Sequence, residues 1–215
     1  MKQEVLPVSQ LDPAQRRLLQ KLYENHYGGP HQFERDLDAK DWVLLLRQGE
    51  TVVGFSTLQR RQQAGFVVYF SGDTLVVPGH RQGYDLPRLW GRFVFQQVDA
   101  EQLPCLWLLI CAGFRTYRFL PVFFQKFFPR FDQPTPPEVQ ALLDQLAGDR
   151  YGTLYKEGRV ALSSACLEEL PERRLDQHAN FFLEKNPDWK HGHELVCLTW
   201  LERTNLTLAG QRMLR

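Results

Sequence analysis

Three apolar runs divided by short polar turns, between Trp42 and Val77, constrain this chain more than any other feature. Trp42–Leu46 reads as a buried strand. Gln48-Gly49-Glu50 makes a tight turn, and Thr51–Gln59 returns as a second strand, giving a β-hairpin. Gln62–Gly65 is a second polar turn. Phe66–Val77 then supplies a long third strand, with a bulge expected at Ser71-Gly72, where glycine relaxes the pleat.

Helical signals surround this meander. Ser9 or Asp12 caps a first helix, with Pro13 in its first turn and Leu18, Leu19, Leu22 and Tyr23 on its apolar face. Gly28-Gly29-Pro30 breaks it, and a short helix over 32–39 follows. After Pro78-Gly79 the pattern predicts a helix over 87–97, a central strand at Cys105–Cys111 and a helix over 115–127 that ends before Pro129. The expected order is α-α-β-β-β-α-β-α. Beyond Pro134-Thr135-Pro136-Pro137 come a helix over 138–146, a hairpin from 151–155 and 159–162, a helix over 177–184, a strand over 194–201 and a helical tail. We therefore expect an α/β fold, with a core over 1–131 and a C-terminal extension over 132–215 that completes the same domain.

Composition removes several classes. The 215 residues are 43% hydrophobic, enough for a sizeable core without disulfides or metals. A net charge of +1 gives no reason to expect nucleic acid as a partner. Cys105, Cys111, Cys166 and Cys197 form no C-x-x-C pair and read as buried thiols of a reducing, cytoplasmic setting. The N-terminus has no signal-peptide apolar region. The longest apolar stretches, 103–112 and 119–128, fall short of the roughly 20 residues that span a bilayer, so no transmembrane segment is expected. His191 and His193 flank a glycine beside Glu194, but no pattern of further ligands accompanies them, so no metal is expected. G-x-S-x-G and G-x-x-x-x-G-K-[ST] are both absent, leaving hydrolase and nucleotidase readings without support.

The turn after the third strand reads Val76-Val77-Pro78-Gly79-His80-Arg81-Gln82-Gly83-Tyr84-Asp85-Leu86. Together with the element order over 11–131, this Pro-Gly-basic turn resembles the GCN5-related N-acetyltransferase superfamily, near its N-acyl amino acid synthase-like branch. The resemblance implies a mainly antiparallel central sheet flanked by helices. It also implies an acyl-CoA or acyl-phosphopantetheine donor. Val76 and Val77 would orient that donor, while His80, Arg81, Gln82 and Gly83 would hold its phosphates at a helix N-terminus. With His80 in the leading position, Gly83 falls on the first glycine of the family's loop and Asp85 on the second small residue; Asp85 is also placed to cap the next helix.

Tyr117 stands where the superfamily carries a tyrosine that protonates the leaving thiolate, and it also lies within the ring cluster of Phe114, Phe119, Phe123 and Phe124. The resemblance implies a small-molecule amine as acceptor, and an acyl carrier protein as a second source of the donor. Arg81, Arg88 and Arg92, with Arg115, Arg118, Lys126 and Arg130, would form its docking edge or a solvated face. Glu34, Asp36, Asp38 and Asp41 would hold the ammonium or form a solvated helix face. The other class of function is a non-catalytic binding or scaffold protein on this fold, favoured by Asp85 and the altered glycine pattern.

Overall fold

A computed structural model describes residues 1–27, 33–80, 84–162 and 175–215, with backbone alone at 26 and 27. The expected meander forms as β2 (Trp42–Gln48), β3 (Thr51–Gln63) and β4 (Phe66–Val76), each antiparallel to the next. Ala64 and Gly65 turn β3 into β4 with φ of 52° and 79°. A two-residue turn of this hand matches the twist of the strands it joins.

A strand precedes the meander where none was expected. β1 (Lys2–Pro7) pairs antiparallel with β2, Lys2 opposite Arg47 and Pro7 opposite Trp42. Its sequence, Lys-Gln-Glu-Val-Leu-Pro, shows no clean alternation, because an edge strand half-open to water needs none. Then come α1 (Pro13–Tyr27) and α2 (Phe33–Asp38). Next, α3 (Asp85–Val98) carries the chain from β4 to β5 (Cys105–Cys111), which lies parallel to β4.

The helix expected over 115–127 is not continuous. α4 (Phe114–Tyr117) and α5 (Phe119–Phe123) are two short pieces, and Phe127–Phe128 is a strand, β6. Tertiary bonds override the helical pattern here. Lys126 N–H donates to Asn205 Oδ1 at 2.7 Å, Asn205 Nδ2 donates to Lys126 O at 3.0 Å, and Gln125 N–H donates to Asn205 O at 2.8 Å.

The chain from 132 onward adds α6 (Pro137–Tyr151), the small hairpin β7 (Tyr155–Lys156) and β8 (Arg159–Ala161), α7 (Gln177–Lys185), β9 (His193–Trp200) and α8 (Leu208–Met213). β9 runs antiparallel to β5, and its other edge meets β8 and β6. The strand order is β1-β2-β3-β4-β5-β9-β8-β7 in one nine-stranded sheet with β6 beside β9. The fold is mixed α/β, with a mainly antiparallel central sheet flanked by helices.

Alternation along the strands sorts the core into two faces. Val67, Tyr69, Cys105, Trp107, Leu109, Cys111 and Cys197 pack with Leu86, Trp90 and Phe95 of α3 and with Phe182 of α7. On the opposite face, Val68, Phe70, Leu106, Leu108, Val196 and Leu198 pack under Leu143 and Leu146 of α6. Further along that face, Val43, Leu45, Val52, Phe55 and Leu75 pack under Leu19 and Phe33 of α1 and α2. Among the described residues no helix is long and apolar enough to cross a membrane.

One buried polar contact ties α3 to the middle of the sheet. Ser71 Oγ accepts Nε1–H of both Trp90, at 3.0 Å, and Trp107, at 2.9 Å, and the two rings lie 4.1 Å apart. Removing the hydroxyl leaves two buried donors unmet, each at a cost of about 1–3 kcal/mol. Ser71→Ala is expected to lower the unfolding free energy by about 2–4 kcal/mol in urea titrations followed by tryptophan fluorescence.

Candidate functional site

β4 and β5 part company in the middle of the sheet. Their pairing runs from Val67 opposite Cys105 to Ser71 opposite Leu109 and stops. β4 continues to Val76 along β3, while β5 continues to Cys111 along β9. The result is a wedge-shaped gap at the open ends of two parallel strands. A bulge begins where the gap begins. Thr57 faces Gly72 and Phe55 faces Leu75, so β4 carries one residue more than β3 between these pairs. The extra residue lies at Asp73-Thr74, just past the expected Ser71-Gly72, and Asp73 has φ of +41°.

Side chains hold that conformation. Thr57 Oγ1 reaches Gly72 O at 3.0 Å and Asp73 Oδ2 at 3.2 Å, and the Ser56 and Thr74 hydroxyls meet at 2.7 Å. A side chain at Gly72 would come within 3.2 Å of Lys40 and Phe70.

The α6 face of the gap is lined by charged groups. Lys40, buried, sets its Nζ 3.7 Å from Asp73 Oδ2 and donates to Asp36 O at 3.2 Å. Burial lowers its pKa, opposed by Asp73. Burial raises the Asp73 carboxyl, and Lys40 pulls it back. Arg150, near the end of α6, lies 3.5 Å over the Phe70 ring and donates to Gln59 Oε1 at 2.6 Å, while Gln59 Nε2 donates to Ala39 O. Glu194 enters from β9 on the face it shares with Val196 and Leu198, only 9% exposed. Burial, and then the negative charge of Asp73, push its carboxyl up to about 8. Tyr151, which closes α6, is also pushed up by burial and feels the charge of Glu194.

The expected donor residues lie beside the gap. Val76 ends β4, and Val77 N–H donates to Val53 O at 2.9 Å, so that amide belongs to the sheet. His80 N–H returns to Val77 O at 3.0 Å across Pro78-Gly79, with Gly79 at φ +90°, as a type II turn requires at its third residue. Arg81, Gln82 and Gly83 lie outside the described residues. α3 begins at Asp85 and its N-cap is Tyr84, so Asp85 is not the cap; its carboxylate sits in the first helical turn.

Tyr117 is elsewhere, fully buried on the α3 face between Phe127, Phe181 and Phe182, with its hydroxyl donating to Pro129 O at 2.9 Å. Burial raises its pKa well above the usual phenol value. Several members of the expected basic edge are engaged within the chain. Arg92 donates to Arg215 O, Arg118 pairs with Asp176 at 2.9 Å, and Arg130 pairs with Asp132. In the acidic cluster Asp38 pairs with Arg16 at 2.6 Å, and Asp41 Oδ2 accepts Arg60 N–H at 2.7 Å. Among the described residues no group of three or more His, Cys, Asp or Glu is placed to hold a metal.

No protein-family model matches the chain, and no curated protein matches its sequence. Solved structures are similar to parts of it. Escherichia coli ElaA is 15% identical over 62% of this chain and 93% of its own, with a TM-score of 0.43. Arabidopsis thaliana Naa50, in complex with a bisubstrate analogue, is 11% identical over 64% of this chain and 93% of its own, with a TM-score of 0.45. A putative N-acetyltransferase from Lactobacillus plantarum is 15% identical over 62% of this chain and 91% of its own, with a TM-score of 0.41.

Glu194 gives the site a pH signature. Its folded pKa lies above the ordinary 4.5, so the folded state holds the proton more tightly. That contribution to stability is complete below the ordinary carboxylate range and is lost as pH rises through about 8. Glu194→Gln is expected to melt close to the wild type at pH 4 and several degrees above it at pH 9, measured by thermal unfolding across that range.

Proposed function

We propose that this chain is an acyltransferase of the GCN5-related kind, moving an acyl group from a thioester to a primary amine. The observation that supports it is the parting of β4 and β5 at Ser71 and Leu109, just before the turn that leads into α3. Parallel neighbours that separate leave facing strand edges, and among the described residues no strand lies between these two. An extended ligand rich in amides, such as the pantetheine arm of coenzyme A, can lie between them as the resemblance implies.

The turn around His80 and the N-terminus of the 14-residue α3 then face the pyrophosphate, with the helix dipole favourable to an anion. Arg81, Gln82 and Gly83 complete that cradle in this reading. Coenzyme A is the preferred donor, because Arg92, Arg118 and Arg130 are engaged within the chain and less available to an acidic carrier protein. A cytoplasmic setting suits the free, buried Cys105, Cys111 and Cys197.

The chemistry asks little of the protein at the sulfur. The neutral amine nitrogen attacks the thioester carbonyl carbon, the C–S bond breaks, the thiolate departs, and the surplus proton on nitrogen passes to water. A thiol of pKa about 8.5 is already a competent leaving group at neutral pH, so Tyr117 need not give up its bond to Pro129. Tyr117→Phe is expected to keep single-turnover transfer within about threefold of wild type while losing about 1 kcal/mol of stability. A large loss of rate with unchanged donor binding would instead make Tyr117 the acid.

The reading as a whole is tested by thermal shift with acetyl-CoA, a long-chain acyl-CoA and acyl-loaded carrier protein, followed by thiol release in the presence of primary amines. A donor that binds raises the melting temperature with concentration. If no donor produces a shift at saturation, the chain is a binding or scaffold protein rather than a transferase.

A further inference from the structure

The carboxyl of Glu194 makes no ion pair and no hydrogen bond among the described residues; the charged group that acts on it is Asp73. The other charged groups named at the gap have partners within the chain. Asp73 is met by Lys40 and Thr57, and Arg150 is held on Gln59 and the Phe70 ring. Tyr151 and Cys111, the remaining titratable neighbours of Glu194, are both held neutral by burial. A carboxyl more than nine-tenths buried without a partner is costly, and such groups concentrate where a ligand supplies what is missing.

The missing piece has a definite chemistry. It must be positive, must donate hydrogen bonds, and must fit between two carboxyls on one face of the sheet. Asp73 lies on the β4 side of the gap, and Glu194 lies beyond the end of β5, one residue past the Cys111–Leu195 pair. We propose that Glu194 and Asp73 form a receptor for a primary alkylammonium group, which enters the gap as its cation and is met by the ionised Glu194. The receptor stands on its own as a binding site. Its catalytic consequence rests on the acyl-transfer reading: the ammonium first gives one proton to the Glu194 carboxylate, the freed lone pair bonds to the thioester carbon, and as the C–S bond breaks the sulfur leaves with its electron pair and takes up the second nitrogen proton, giving amide and thiol.

Binding to the ionised form has a readout that needs no activity. At neutral pH the free protein carries Glu194 largely protonated, so a bound ammonium expels about one proton per site. The probe is n-butylammonium, which stays protonated to pH 9, with tetramethylammonium as a cation lacking N–H and 1-butanol as an uncharged control. Calorimetry in two buffers of different ionisation enthalpy counts the proton.

We expect butylammonium to bind about tenfold or more tightly at pH 8.5 than at pH 6, with proton release at pH 6.5 that fades above pH 8. Glu194→Gln should remove the proton release and weaken binding by about tenfold or more, while still being stabilised by acetyl-CoA as a check on folding. Asp73→Asn should lower the pH at which the proton is expelled. Absent binding, binding equal at both pH values, or binding unchanged in Glu194→Gln overturns the receptor. If the ammonium binds as described but no thioester is aminolysed, the transferase reading falls and the receptor stands. If wild type and Glu194→Gln transfer equally, the catalytic role of Glu194 falls and the transferase reading stands.

Discussion

Two indole N–H groups on one serine oxygen fix the place where this sheet opens. Ser71 is the last β4 residue paired with β5, and its hydroxyl binds Trp90 from α3 and Trp107 from β5. Phe124 extends the stack, 5.7 Å from Trp107. With α3, β4 and β5 clamped at that point, the next residues of β4 cannot follow β5. Gly72 is tightly fitted against Lys40 and Phe70, and the extra residue at Asp73-Thr74 turns the strand toward β3 instead. The gap therefore follows from a rigid floor on one face and a bulge on the other.

The strands that the sequence announced were those whose burial decides their pattern. Cys105–Cys111 has core on both faces, and its apolar run has the same ends in the fold. The meander was legible because its polar turns are short. β1 was not, because half-exposed edge residues leave no periodic trace and its partner lies 40 residues away in the chain. The run from Phe119 to Phe128 looked helical because its rings recur at helical spacing. What breaks it is the Asn205 amide and the edge of β9, both far downstream.

The gap residues were harder to read than the fold. Alternation in His193–Trp200 puts Glu194 on the face of Val196 and Leu198, which marks a carboxyl turned inward. His193 and Glu194, adjacent in the chain, point to opposite faces of the sheet. Asp73 lies just past the bulge expected at Ser71-Gly72, and nothing in the sequence pairs it with Lys40. Their meeting depends on a backbone with φ of +41°, a local choice stabilised by Thr57 from another strand. Tyr117 shows the reverse difficulty. Its position in the chain suits a catalytic acid, while in the fold its hydroxyl donates to the Pro129 carbonyl.

β9 lies beside β5 within the sheet although it follows every other described strand along the chain. The two carboxyls beside the gap are consequently made far apart in time, Asp73 well before Glu194. Until the ribosome has delivered β9, one edge of β5 has no strand to pair with, and closing it requires contacts across most of the chain. Such late, distant pairing is slow and leaves an apolar edge exposed in the meantime. A nascent chain can thus hold the clamp on Ser71 and the bulge for some time before it holds a site, so the gap assembles after the clamp and not with it.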